Sequence, residues 1–204
     1  MKILQSGPHT IPGGTRRPQV DPSTSVGGYS ASAKIVHWVI ALLLLIQFVV
    51  SILMPDVGPK TVPGTLLNLH FALGVTILAL MAIRFAHRLI HPVSLAGSTA
   101  PRWERRAAQA THLTFYFILL IGPFLGWASA SAHNLRTSVF GLLSLPDIAA
   151  PRARWALTAG DLHIYMMWTL LGLVGFHALA ALYHHFIRRD GVLRRMLPIG
   201  GRAS

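Results

Sequence analysis

Residues 162–187 read LHIYMMWTLLGLVGFHALAALYHHFI, an apolar run without a single Asp, Glu, Lys or Arg. As a helix it is long enough to cross about 30 Å of hydrocarbon. Of its four histidines, His163 lies near its start and His177 beyond its middle, while His184 and His185 close it. Fourteen residues of α-helix rotate by about 1,400°, roughly 40° short of four full turns, and rise about 21 Å. Both imidazoles therefore project from nearly one face, one towards each side of a bilayer. Titratable side chains are expensive in hydrocarbon and mark functional positions there. Two stacked imidazoles imply two metal centres, of the haem-iron kind, aligned for moving electrons.

Three more runs reach spanning length: Ile35–Met54, Leu66–Ile83 and Leu113–Ala130, beside Ile164–Ile187 in the quoted stretch. Each is bounded by charge, Pro or Gly, which predicts four transmembrane helices. Composition agrees, because 52% of the 204 residues are hydrophobic and 12% are charged, against about a quarter charged in a soluble domain. There is no cysteine, so thiolate-ligated clusters, thiol catalysis and disulfides are excluded together. A metal centre must rest on His, Met or the six carboxylates.

A formal charge of +12 would suit nucleic acid, but its distribution argues for membrane topology. Fourteen of the eighteen cations fall before the first helix, between the second and third, and after the fourth. The other two loops hold only Lys60, Arg136, Arg152 and Arg154, beside Asp56, Asp147 and Asp161. That asymmetry is the positive-inside pattern and places both termini in the cytoplasm. The basic charge then serves orientation and contact with lipid headgroups, and no nucleic-acid partner is expected.

Residues 1–28 are rich in Gly, Pro, Ser and Thr and read as a disordered cytoplasmic tail. Met1–Gly14 has no apolar core of the kind a cleaved leader needs, so the first helix directs insertion. That helix is expected to start at Ser30 or Ser32, either of which can cap it, and to end before Pro55. The third helix is expected from about Ala107 and holds Pro123 and Gly126, which should kink it. The longest connection, His133–Asp161, has room for a short surface helix. The organisation is thus a tail (1–28), a four-helix transmembrane domain (29–190) and a basic cytoplasmic tail (191–204), with the helices in an all-α, up-down-up-down bundle.

Depth sorts the histidines. His9, His87, His91 and His133 fall in tails or at loops, where a solvated surface role suffices. His70 lies near the outer end of the second helix, level with His163. His37 lies six or seven residues into the first, level with His177, although His184 shares the His177 face and depth alone does not separate the two. A haem b with two axial imidazoles needs two neutral nitrogens on opposite faces of one porphyrin, held by facing helices. Packing histidines that hydrogen-bond across helices would explain one such residue, but explains two depth-matched pairs poorly. Gly74, one turn from His70, and Gly175, two residues before His177, would let a flat macrocycle approach, or simply let helices pack. Met54, Met81, Met166 and Met167 read as apolar packing.

These residues carry a family resemblance. Tyr29-Ser30 with His37-Trp38, then Asn68-Leu69-His70 with Gly74, then Arg84 and Pro92, resemble the first half of the bacterial cytochrome b561 family. His112, Tyr116, Pro123 and Gly126 are similar to its third helix, and His163, Gly175, His177 and the Ala181–Phe186 run with His184-His185 to its fourth. The resemblance covers about residues 29–198. It implies two b haems ligated by His37/His177 and His70/His163, which favours His177 over His184. It also implies an inner-membrane oxidoreductase of the respiratory chain that exchanges electrons with ubiquinone, and one characterised activity in the family is superoxide oxidation at the outer face coupled to quinone reduction. The chain departs from the family in its long N-terminal tail and in the loop around His133–Arg154, which shapes access to the outer haem.

Quinone reduction also takes up protons, and His184 and His185 are the candidate donors because imidazole titrates near neutral pH. His112 can hydrogen-bond a propionate, and Arg84 or Lys60 can neutralise one, although both equally suit interface anchoring. Two other readings stand beside the quinone enzyme. One is a haem-bearing anchor that passes electrons to or from a separate dehydrogenase. The other is a cofactor-free transporter, which would need polar residues at mid-membrane and broken helices. The topology has a direct check: a phosphatase reporter that works only outside the cytoplasm should be active when fused after Lys60 or Pro146. It should be silent after Ala96 or Leu197, and the opposite pattern would invert the bundle.

Overall fold

The apolar runs form four long helices in the computed structural model, which describes residues 30–90, 101–190 and 192–197, without the side chain of Arg195. The expected tail 1–28, most of the loop before Pro101 and the end of the basic tail lie outside the described residues. The helices are α1 (Ala31–Leu53), α2 (Thr65–Ile90), α3 (Arg102–Ala132) and α4 (Arg154–Tyr183). A π-helical stretch, His184–Arg188, continues α4, and a short α5 (Val192–Met196) follows. All four long helices have the length and composition to cross a membrane.

Local chemistry sets the ends. Ser30 caps α1, its hydroxyl accepting from the Ala33 N–H at 3.3 Å. Met54 turns extended at the other end, as the residue before a proline must. Two boundaries differ from the sequence reading. α3 begins at Arg102 rather than near Ala107, because Pro101 occupies the cap and Glu104 sits in the first turn, where a carboxylate favours the helix dipole. Glu104 also accepts from Arg188 Nη1 at 2.7 Å, which ties the start of α3 to the end of α4. α4 begins at Arg154, so the last part of the expected loop, residues 154–161, is helix. Ala156 and Ala159 in that added part pack against Ala128 and Ala132 of α3.

The rest of the loop is not the short helix the sequence suggested. It holds a hairpin, β1 (Ser138–Val139) against β2 (Leu143–Ser144), paired Ser138 to Ser144 and Val139 to Leu143. Phe140 and Gly141 take positive φ in its turn. The segment is strapped to the end of α3: the Ile148 N–H donates to Ser131 Oγ, the Arg152 N–H to the Ala132 carbonyl, and Trp127 Nε1–H to the Pro146 carbonyl.

Every long helix contributes to one core: Ile40 from α1, Ile77 and Met81 from α2, Ile118 and Leu119 from α3, and Leu170 from α4. Leu170 is wholly buried. Large apolar side chains such as Leu42, Leu45, Phe117, Trp168, Phe176 and Leu179 stand exposed on the outside. In water that surface would be an aggregation hazard; in a bilayer it is the lipid contact. Burial of apolar area therefore does little to hold the helices together, and close packing matters more.

Small residues supply it. α3 packs most closely on α4, and α1 on α2, whereas α4 makes no comparable approach to α1 or α2. Along the α3–α4 seam a side chain on Gly160 would collide with Ser129 Oγ, and one on Gly122 would come within 2.6 Å of Met167 Cε. The substitution Gly160→Val should therefore push the two helices apart. Its expected cost is about 1–3 kcal/mol of stability, read as a lower midpoint in thermal unfolding of the detergent-solubilised protein.

Candidate metal centres

α4 carries His163 and His177, and each faces a partner on a helix that α4 does not pack against. His177 faces His37 of α1, with ring centres 6.4 Å apart and planes at 69°. His163 faces His70 of α2, with ring centres 6.3 Å apart and planes at 84°. Leu170 lies seven residues from each histidine on the same strip of α4, so the apolar core fills the space between the two pairs.

The spacing can be tested against a shared metal. Two imidazoles that each bind one ion through a ring nitrogen, with bonds of about 2 Å, have ring centres roughly 6 Å apart. Both pairs meet that value. Among the described residues no three His, Asp or Glu side chains converge on one point, so the geometry does not suit an ion held by protein ligands alone. It suits a metal whose remaining positions are filled by a macrocycle, as in a bis-imidazole haem. α4 packs closely against neither α1 nor α2, the helices that carry the facing histidines.

The hydrogen bonds around His163 point the same way. Its Nδ1–H donates to the Gly122 carbonyl of α3 at 2.8 Å. A carbonyl can only accept, so the proton is on Nδ1 and Nε2 is left with a free lone pair. Gly122 comes immediately before Pro123, inside the helix. Gly126, one turn on, lies flat against the ring: a Cβ there would sit 3.2 Å from His163 Cε1 and Nδ1. The sequence reading took Gly126 as a kink residue and missed its contact with the ring.

His70 has a different neighbour. Gln47 of α1 places its Nε2 3.0 Å from His70 Nδ1 and 3.1 Å from the His70 carbonyl. Its Oε1 is buried and has no hydrogen-bond partner among the described residues. Gln47 and Ser51 are the only polar side chains between Ile40 and Met54. A lone amide in a spanning helix was the signal that could have singled it out.

The other candidates are distributed as follows. Gly74 stands beside the Gln47 amide, where an added Cβ would make ordinary contact at 3.7 Å. Gly175 is exposed, and a Cβ there would meet nothing within 4 Å; neither glycine is needed for helix contact. His112 of α3 stands against His177, ring centres 5.7 Å apart, with Phe115 on the same ring at 5.5 Å. Arg84 Nη1 donates to the Ala33 carbonyl at 3.0 Å, holding the guanidinium at the first turn of α1 near His37.

His184 and His185 lie about two turns past His177, in the π-helical stretch. Such stretches are rare and recur at functional sites. His184 Nδ1–H donates to the carboxylate of Asp190. Partial burial works against the charge on Asp190. The hydrogen bonds from His184 and the Val192 N–H, with the Arg188 charge, outweigh it and hold the carboxyl below its usual range. His185 lines a shallow cleft with Phe186, Arg189 and Arg194. Arg189 closes the stretch in the left-handed region, at φ 53.

The chain is similar to known membrane cytochromes. Over 174 residues the chain is 29% identical to cytochrome b561 homolog 2 of Escherichia coli, covering 83% of this chain and 90% of that protein. It is 28% identical over 163 residues to a probable superoxide oxidase of Yersinia pestis, covering 80% and 92% respectively. Cytochrome b561 homolog 1 of Escherichia coli is 29% identical over 176 residues. The family model for prokaryotic cytochrome b561 matches residues 28–199. Since that match takes in all four spanning helices and every facing histidine, this multi-pass membrane protein belongs to the prokaryotic cytochrome b561 family, whose cofactor is haem b and whose work is electron transfer.

Proposed function

We propose that the protein carries two b haems, one between His37 and His177 and one between His70 and His163, and moves electrons across the membrane between a donor at one face and ubiquinone at the other. The observation that carries this reading is the pair of matched ring separations, 6.4 and 6.3 Å, on one face of α4. A haem b with two axial imidazoles supplies a one-electron couple without an open coordination position. The protein's own residues must then do three things: hold the rings, keep water away from them, and deliver protons where a product needs them.

The first two fall to the bundle. His163 is oriented by Gly122, His177 is flanked by His112 and Phe115, and the core around Leu170 keeps the two sites apart. Arg84, beside His37, offers a cation to an acidic side chain of the inner macrocycle. A Cβ on Gly74 would meet only the Gln47 amide and one on Gly175 nothing within 4 Å, so both positions leave room for a bound group. The third falls to the basic end, where His184 is bonded to an ionised Asp190 and His185 opens onto the basic cleft. A quinone bound there takes two electrons and two protons to become a quinol, and the imidazoles are placed to pass the protons from the cytoplasmic water.

Superoxide suits the opposite face, given the name carried by the relative from Yersinia pestis. Each superoxide gives up one electron and leaves as dioxygen, so two are consumed per quinol formed. Lys60, Arg136, Arg152 and Arg154 are all exposed at that end and favour the approach of an anion. The orientation we propose is the inner membrane with both termini in the cytoplasm.

The test is quinol formation by the purified protein in vesicles holding ubiquinone, with superoxide generated outside. One quinol for every two superoxides consumed is expected. His184→Ala should cut quinol formation about a hundredfold while leaving the dithionite-reduced spectrum unchanged. Quinol formation that starts only when a soluble dehydrogenase is added would instead make the chain the membrane anchor of a larger enzyme.

A further inference from the structure

The two histidine pairs are held in different ways, and Gln47 is where they differ. A metal-binding imidazole that coordinates through Nε2 carries its proton on Nδ1, and a hydrogen-bond acceptor at that position fixes the ring and raises its basicity. His163 already has such an acceptor, the Gly122 carbonyl at 2.8 Å. His70 Nδ1 meets the amide of Gln47 at 3.0 Å. With the amide nitrogen turned towards it, Nδ1 must accept and Nε2 must hold the proton, which blocks coordination through Nε2. In that orientation the amide also serves the His70 carbonyl, at 3.1 Å, and strands its own oxygen, buried and without a partner.

The two ends of a carboxamide are nearly the same size, so a half-turn exchanges them without repacking. Gly74 leaves the Gln47 amide an ordinary 3.7 Å clearance even from an added methyl group. The half-turn brings Oε1 onto Nδ1–H, but also sets Oε1 against the His70 carbonyl, another acceptor, and moves the amide N–H groups to the buried position the oxygen held. It is favoured only when a metal takes Nε2.

We propose that Gln47 is the positioning residue of the His70/His163 centre: its amide oxygen accepts from His70 Nδ1–H when the pair holds a metal through Nε2. The proposal rests on the bis-imidazole reading of that pair. Gln47 acts on the centre through His70. It makes the two centres unequal, because Gln47 lies against His70 alone among the four ligand histidines.

Two substitutions separate an acceptor from a donor. Gln47→Glu keeps an acceptor of the same size and removes the amide N–H, whereas Gln47→Leu removes both. The readout is a redox titration followed by visible spectroscopy, with haem counted per chain. Gln47→Glu should keep both haems and move the potential of one couple down, leaving the other in place. Gln47→Leu should move the same couple up and weaken haem retention at that site about tenfold or more. If both substitutions leave two unshifted couples, or shift one couple alike, the amide is a packing group or a donor and the proposal fails. A failure of the bis-imidazole reading looks different: His70→Ala would then leave the haem count of the otherwise native protein unchanged.

Discussion

Everything in this bundle turns on α4 having to present two imidazoles to helices it does not pack against. A helix in lipid satisfies its own backbone, but a ring nitrogen needs a partner from elsewhere. His163 finds one in α3, at the Gly122 carbonyl, and the metal reading supplies the other partner on the side facing His70 of α2. The small residues of the α3–α4 seam follow from that need. Gly126 must stay small for the His163 ring to lie where it does, and Gly160 and Gly122 let α3 come close enough for the hydrogen bond to form.

The same constraint explains why the core is short. Ile40, Ile77, Met81, Ile118, Leu119 and Leu170 fill the middle of the bundle, at the level between the two histidine pairs. α4 makes no close approach to α1 or α2, and full packing there would leave no room for a macrocycle. The ends are then closed by other means. At the basic end Arg188 reaches Glu104, and Trp38 Nε1–H donates to the Met196 carbonyl at 2.9 Å, joining α1 to α5. At the other end the hairpin segment is strapped onto α3 through Ser131, Ala132 and Trp127.

The bundle and its histidine faces were legible because they are written in periodicity. A fourteen-residue spacing on an apolar helix fixes a face, and a hydropathy run of spanning length fixes a helix. What escaped was either irregular or made across space. The hairpin rests on Phe140 and Gly141 at positive φ, with strands of two residues each and no alternating pattern to read. The π-helical stretch over His184–Arg188 contains no Gly or Pro to announce it. The Gly122 carbonyl is a backbone atom, to which no residue type points. Gln47 was visible as an isolated amide, but its partner is 23 positions away on another helix and only the fold brings the two together.

The central claim is that each facing pair shares one metal, and haem counting across the four histidine substitutions tests it most directly. The account predicts two b haems per chain. His37→Ala and His177→Ala should each remove the same component of the reduced-minus-oxidised spectrum. His70→Ala and His163→Ala should each remove the other. If the two members of a pair removed different components, or the unsubstituted protein held fewer than two haems, the pairing proposed here would be contradicted.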